Sequence, residues 1–344
     1  MDINSIESVN LEGKRVLLRA DLDVPLSNGE ISDDLRLVAS LETLKYILKQ
    51  TKTVVIFGHL GRPEGEDKKF SLINVAKWYA KKLNGDLKKV EIEGLSGWEI
   101  LPGLVLLENL RFYKKEEEND EEFSKKLALL ADIYVNDAFA SSHRAHASIA
   151  GVPKYLPHFA GFRLLREVEV LLKVSREPKR PLAIVIGGAK IETKLPLVEK
   201  MHRFADYVLV GGEIAENDKI LIKVQHEKIT GKKSIVLVAD LNDDKKDVTQ
   251  KSSENFASVL NNCATIVWNG PMGQIEDKNY QKGTEILING IISSNAYTVV
   301  GGGDTLGFIK NKNLLDKFSF VSMGGGAMLE FLAGEKLPGI EALR

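Results

Sequence analysis

Ala183-Ile-Val-Ile-Gly-Gly-Ala-Lys190, Tyr207-Val-Leu-Val-Gly-Gly212, Thr298-Val-Val-Gly-Gly-Gly-Asp-Thr305 and Phe320-Val-Ser-Met-Gly-Gly-Gly326 have one pattern in common: a short apolar run that stops at glycines. All four lie in the second half of the 344-residue chain. A strand that stops at glycines leaves bare backbone N–H groups at a sheet edge, where no side chain blocks the approach of a phosphate. The first half lacks such clusters. It has arginines beside turn residues instead: Arg36, Arg62, Arg111 and Arg144. One half thus reads as holding a phosphorylated compound by backbone, the other as holding a second one by guanidinium. That division points to phosphoryl transfer.

Working outward, short apolar runs recur along the whole chain. Arg15-Val-Leu-Leu-Arg19, Thr53-Val-Val-Ile-Phe57 and residues 104–107, 133–135, 183–186, 207–210, 235–238, 265–268, 298–300 and 318–321 read as buried strands. Helical patterns separate most of them, as in residues 34–50, where Leu35, Val38, Leu41, Leu44 and Ile47 or Leu48 share a face. Alternating β and α with uniformly apolar strands predicts an α/β fold of doubly wound parallel sheets, covered on both faces. Ligands in such sheets sit at the carboxyl ends of the strands, where the glycines lie here. Pro153, Pro157, Pro178 and Pro181 bracket an amphipathic helix over residues 163–176, with Leu164, Leu165, Val168, Leu171 and Leu172 on one side. This predicts a domain over 1–158, a connecting helix within 159–176 and a second domain over 177–330. The charged run 114–126 reads as a solvated helix face.

Composition sets further bounds. The length suits about two domains, and a hydrophobic content of 44% supplies two cores. A net charge of -1 lends no support to nucleic-acid binding. No apolar run nears the roughly 20 residues of a membrane span. The polar start Met-Asp-Ile-Asn-Ser-Ile-Glu is not a signal peptide, and the lone Cys263 excludes an internal disulfide. A soluble cytoplasmic protein is expected.

The chemistry-bearing segments follow the strands. Pro196 belongs in the first turn of a helix, so Lys190 and Lys194 flank a helix N-terminus just after a glycine turn, which concentrates positive potential. The Walker A order is absent. Counted from Gly301, the sixth position of a G-x-G-x-x-G fingerprint is Leu306, which weakens an NAD-dependent dehydrogenase reading. Asp304, beside bare amides, suits either Mg²⁺ held with nucleotide phosphates or a helix N-cap. Glu276, after Trp268-Asn-Gly-Pro271, is placed to accept ribose hydroxyls or is simply solvated. Asp21 and Asp23 fall on one side of a strand end. His59-Leu-Gly-Arg-Pro63 and Ser142-His-Arg-Ala-His146 each put an arginine fork, which matches phosphate and carboxylate, near a histidine.

Together these segments resemble the phosphoglycerate kinase family. The resemblance runs nearly end to end, through Gly13-Lys-Arg-Val-Leu-Leu-Arg-Ala-Asp-Leu-Asp-Val-Pro25, His59-Leu-Gly-Arg-Pro63, Leu107-Glu-Asn-Leu-Arg-Phe112, Val135-Asn-Asp-Ala-Phe139, His143-Arg-Ala-His146, Gly187-Gly-Ala-Lys190, Val267-Trp-Asn-Gly-Pro271, Gly301-Gly-Gly-Asp-Thr305, Gly324-Gly-Gly-Ala327 and Leu337-Pro-Gly-Ile340. It implies an N-terminal domain that binds 3-phosphoglycerate, a C-terminal domain that binds Mg-ATP or Mg-ADP, a tail over 331–344 that returns to the first domain, and a monomer with no nucleic-acid or membrane partner. By position it implies phosphoglycerate binding at Asp21, Leu22, Asp23, Arg36, His59, Leu60, Gly61, Arg62, Arg111 and Arg144. It implies nucleotide binding at Lys194, Glu276, Gly302, Gly303, Asp304 and Thr305, with Asp304 near Mg²⁺ and Arg36, Lys190 and Lys194 at the phosphoryl group in flight. Asp23 stands where the family usually has Asn, Gly211-Gly-Glu-Ile214 replaces a Gly-Gly-Gly-Met, and the stretch 213–234 is shorter than usual. That shortening leaves room for an alternative: a non-catalytic relative that binds phosphoglycerate but has a reduced nucleotide site.

Overall fold

The computed structural model describes residues 3–189, 196–198, 200–215 and 234–344. The chain divides into two compact units, Met1–Val168 with Lys336–Arg344, and Glu169–Glu335. The division falls inside the Phe162–Arg176 helix, and the tail joins the first unit only from Lys336. Phe331 and Leu332, within the expected tail, instead close the Gly325–Leu332 helix of the second unit.

The first unit is built on a seven-stranded sheet. Its strands are β1 (Val16–Arg19), β4 (Val54–Phe57), β5 (Lys88–Ile92), β6 (Leu95–Leu101), β7 (Leu104–Leu107), β8 (Ile133–Asn136) and β9 (His158–Ala160), with β2 (Leu26–Ser27) and β3 (Glu30–Ile31) forming a separate hairpin. Their order is β5-β6-β7-β4-β1-β8-β9. The strands β7, β4, β1, β8 and the edge strand β9 pair in parallel, and the four inner ones are buried along their length. The parallel sheet carries an antiparallel edge, where β5–β6 and β6–β7 pair. The cause is a two-residue turn: Glu93 (φ 50) and Gly94 (φ 67) are both left-handed, the conformation that closes a tight hairpin. The core of this unit packs Leu18, Ile56, Leu106 and Val135 from the sheet against Leu37, Leu44 and Ile47 of the Leu35–Gln50 helix and Tyr79 of the Ile73–Leu83 helix.

The run 114–126 is not simply a solvated face. Glu116, Phe123 and Ser124 are buried, while Lys114, Lys115 and Lys125 take exposed ion pairs with neighbouring acids.

In the second unit β10 (Leu182–Ile186), β11 (Tyr207–Val210), β12 (Ile235–Val238), β13 (Thr265–Asn269), β14 (Tyr297–Gly301) and β15 (Phe320–Ser322) form a parallel sheet in the order β12-β11-β10-β13-β14-β15. The chain winds outward from β10 to one edge and then from β13 to the other. Winding therefore reverses where Ile186 pairs with Asn269, and the carboxyl end of such a switch point is where doubly wound sheets hold ligands. Among the described residues no helix is long and apolar enough to cross a membrane.

The C-terminal tail is stitched into the first unit. Leu337, Ile340 and Leu343 are buried, and Gly339 N donates to Ser142 O at 2.8 Å. A Cβ on Gly339 would sit 2.9 Å from Ser142 Cα, so the close approach needs glycine. The tail thus braces the loop that leads to Arg144. Replacing Ile340 by Ala is expected to destabilise the first unit by about 2–5 kcal/mol. Urea unfolding read from Trp78 and Trp98, against Trp268 in the second unit, checks this; equal shifts in both signals, or none, would contradict the assignment of the tail.

Candidate active site

In the first unit the carboxyl ends of β1, β4 and β7 and the loop after β8 carry the polar residues. Arg19 closes β1 and is fully buried. Its Nε donates to Ser148 Oγ at 2.9 Å, its Nη1 donates to Ala20 O and its Nη2 lies 2.9 Å from His59 Nδ1. Asp21 and Asp23 follow and both face Arg36, whose Nη1 is 3.9 Å from Asp21 Oδ1 and 3.7 Å from Asp23 Oδ2. Arg36 Nη1 also donates to Asp23 O at 2.6 Å. Burial raises the Asp21 carboxyl above its usual range, opposed by Arg36 and Arg19. The second Asp23 oxygen accepts from Gly61 N at 2.8 Å.

The loop after β4 is clamped by one side chain. Asn109 accepts from Leu60 N at 3.3 Å and Arg111 N at 3.1 Å, and donates to Leu60 O at 2.7 Å and Phe70 O at 2.9 Å. Arg111, buried, donates to Gly61 O and lies 3.3 Å from Glu117. Burial, with Arg144 next in weight, lowers its pKa to about 10. Burial and then Arg62 lower that of Arg144, whose Nε donates to His143 Nε2 at 3.3 Å. Arg62 itself is exposed. The edge therefore gathers Asp21, Asp23, Arg36, His59, Gly61, Arg62, Arg111 and Arg144. Leu22 and Leu60 are core residues, so only their backbone reaches it. Arg111 Nη2 is buried with no hydrogen-bond partner among the described residues. A buried donor on a cation, in a cluster that already repels itself, fits an anionic ligand.

Sequence reading missed Arg19, Asn109, Glu116 and Ser148. Ser148 N and Oγ donate to the two Glu116 oxygens at 2.9 and 2.5 Å. The one available signal was a charged residue, Arg19, ending a strand buried on both faces.

In the second unit the site is backbone. Gly212 (φ 65) and Gly302 (φ 103) adopt left-handed conformations. A Cβ on Gly212 would fall 2.6 Å from Gly188 N, and one on Gly325 would fall 2.5 Å from Gly302 Cα. Two helix starts, Gly303–Asn311 and Gly325–Leu332, are tied to the end of β13: Asn269 Nδ2 donates to Gly325 O at 3.0 Å, and Gly270 N donates to Thr305 Oγ1 at 3.0 Å. A Cβ at Gly303 or Gly326 would meet nothing within 4 Å, so both N-termini open outward. Thr305 is buried and fixes this geometry. Asp304 is exposed in the first turn, and the N-cap is Gly302, not Asp304. Glu276 is exposed after β13. Lys190 and Lys194 lie outside the described residues. Among the described residues no group of three or more His, Cys, Asp or Glu could hold a metal.

These features are matched across the chain by known proteins. A family model described as "Phosphoglycerate kinase" matches residues 6–233 and 216–335. The chain belongs to the phosphoglycerate kinase family. A curated phosphoglycerate kinase of Finegoldia magna is 36% identical over 392 aligned positions, covering 100% of this chain and 99% of that protein. One from Baumannia cicadellinicola is 38% identical, covering 100% and 98%. Among solved structures, the phosphoglycerate kinase of Coxiella burnetii superposes with a TM-score of 0.78 at 35% identity, covering 99% of each chain. That of Pyrococcus horikoshii gives 0.83 at 29% identity, covering 99% and 98%. The first alignment is longer than this chain, so that family member carries residues that this one lacks. The family model matches in two segments that overlap at 216–233, inside the stretch read as shortened.

Three imidazoles at the arginine edge are held below their ordinary value, by burial first and then chiefly by neighbouring guanidinium groups: His59 far below, His143 at about 4 and His146 at about 3. Between those values and about 6.5 the unfolded chain binds protons that the folded chain does not. This contribution to stability is present above about pH 6.5 and is lost as pH falls toward 3–4. The midpoint of thermal unfolding should drop on acidification from pH 7 to 5, and His146→Gln should flatten that slope. Scanning calorimetry at several pH values checks it; an unaltered slope would show that His146 does not contribute.

Proposed function

We propose that the chain catalyses reversible, Mg²⁺-dependent phosphoryl transfer between 1,3-bisphosphoglycerate and ADP, giving 3-phosphoglycerate and ATP. The observation that carries this reading is the buried Arg111, close to Arg144, which is in turn close to Arg62, with its Nη2 short of a hydrogen-bond partner among the described residues, on a sheet edge that also holds His59 and Arg36. Such an edge suits a small ligand bearing both a phosphate and a carboxylate, since an arginine fork fits either bidentately. Asp21 and Asp23 hold Arg36 and offer acceptors to a ligand hydroxyl.

Nucleotide phosphates suit the second unit's open helix starts at Gly303 and Gly326, which supply backbone N–H groups and the positive end of the helix dipole. Lys194 and Lys190, which follow β10 in sequence, add charge there, and Glu276 accepts from the ribose. Asp304 is a lone exposed carboxylate beside these amides. That fits Mg²⁺, which is ordinarily held by one or two carboxylates together with substrate phosphates and water. When bound, the ion neutralises charge on the phosphate oxygens.

The acceptor of the phosphoryl group is a carboxylate, already anionic, so no general base is needed. In flight the phosphoryl group spreads negative charge over three oxygens, and the protein's contribution is alignment and positive donors. Arg36 and Lys190 take that role. Direct transfer demands that both reactants meet in line, so the reading includes closure about the Phe162–Arg176 helix, through which the chain passes between units. We further propose a cytoplasmic monomer, in keeping with the single buried Cys263.

Arg36→Ala and Lys190→Ala should each lower kcat by about 10³–10⁵, the worth of comparable donors in phosphoryl transfer. A coupled assay with ATP, 3-phosphoglycerate and Mg²⁺, repeated with GTP, measures this. Turnover close to the parent in both variants would defeat the assigned roles.

A further inference from the structure

We propose that Arg19 is a positioning residue that locks His59 in the neutral tautomer bearing its proton on Nε2. Three contacts carry the argument. A guanidinium offers only donors, so Arg19 Nη2, 2.9 Å from His59 Nδ1, meets a lone pair there. The single proton of a neutral imidazole must then sit on Nε2. That atom is 3.8 Å from Asp23 Oδ2, on the edge where Arg36 and Gly61 also converge on Asp23. The opposite tautomer would set N–H against N–H inside a fully buried contact.

Arg19 is in turn held by a chain of hydrogen bonds that runs one way. Its Nε donates to Ser148 Oγ at 2.9 Å, and that hydroxyl donates to Glu116 Oε1 at 2.5 Å, while Ser148 N donates to Glu116 Oε2 at 2.9 Å. Glu116 is the buried counter-charge behind the relay, and it is absent from every sequence motif quoted above. Reversing any one bond would leave two donors or two acceptors facing each other. Arg19 alone sets the proton donor at His59 Nε2, and Glu116, through Ser148, holds Arg19 in place to do so.

The role of this Nε2–H as a donor to the ligand rests on phosphoglycerate binding at this edge, but the tautomer does not. The test uses the full chain with ¹⁵N-labelled histidine. NMR of the ligand-free protein should show His59 protonated on Nε2 and unprotonated on Nδ1. The double variant Arg19→Met/Glu116→Gln removes both buried charges together, which spares the fold an unpaired ion. In it His59 should become a mixture of tautomers. Titration with 3-phosphoglycerate should then show affinity weakened roughly tenfold or more, the worth of a hydrogen bond to a charged group, with Mg-ADP affinity unchanged. Arg19→Lys, which keeps a donor, should restore much of the Nε2–H form. His59 protonated on Nδ1 in the parent, or still purely Nε2–H in the double variant, would overturn the proposal, as would a tautomer change without loss of phosphoglycerate affinity. If the double variant does not fold, the parent spectrum and Arg19→Lys still decide. A parent with the expected tautomer that fails to bind 3-phosphoglycerate would instead refute the substrate assignment and leave Arg19's hold on His59 intact.

Discussion

A guanidinium buried at the end of a parallel strand has five donors to satisfy and no acceptor of its own. From that constraint much of the first unit's carboxyl edge follows. Arg19 must find acceptors, and it takes Ser148 Oγ, Ala20 O and His59 Nδ1, drawn from three separate stretches of chain. Its charge needs a partner, because an isolated buried ion costs several kcal/mol; Glu116 supplies one through Ser148. Burial first, and then the same positive field, hold His59 and His146 below their ordinary values, which favours their uncharged forms at this edge. The remaining cations differ: Arg36 faces Asp21 and Asp23, Arg62 is exposed, Arg144 is half-buried, and Arg111 is buried with an Nη2 that has no hydrogen-bond partner among the described residues. A ligand with several negative oxygens answers that unmatched donor.

Much of this architecture was legible in the sequence because strand ends are marked by simple chemistry. The glycine clusters after β10, β11, β14 and β15 announced both the parallel sheet and its ligand edge. The helix over residues 34–50 was read, but its inner face was only partly placed: Leu44 and Ile47 are buried, whereas Leu37, Ser40 and Thr43 share that face and Val38 is exposed. The hairpin of β5 and β6 was not read, although Glu93-Gly94 between alternating segments is a hairpin signal. Charge density misled at 114–126. Most of that run is solvated, but Glu116 turns inward, and only its distant partners Arg19 and Ser148 explain why. Such long-range pairs leave no local pattern. Asn109 is similar: the three hydrogen bonds by which it clamps the Leu60 loop cannot be seen in the letters Glu-Asn-Leu-Arg. Asp304 was open between two readings, and the structure gives the cap to Gly302 because a left-handed φ of 103 there suits glycine alone.

The two units meet negative charge in different ways, and the difference has a physical reason. In the second, the cradle is backbone, and its shape is enforced by collisions that any side chain would create, as at Gly212 against Gly188 and Gly325 against Gly302. Backbone amides do not vary with sequence as long as the glycines remain. Side chains around them are free to change. Glu213, directly after Gly211 and Gly212, accepts from Gln274 Nε2 at 3.3 Å without disturbing the glycine turn before it. In the proposed reading, recognition in the first unit lies in the side chains themselves. Asp23 therefore shapes the edge directly, setting a carboxylate 3.7 Å from Arg36 and 3.8 Å from His59. A chain built this way tolerates sequence change beside its amide-lined site more readily than beside its arginine-lined one, because only the second stores its specificity in the residues that change.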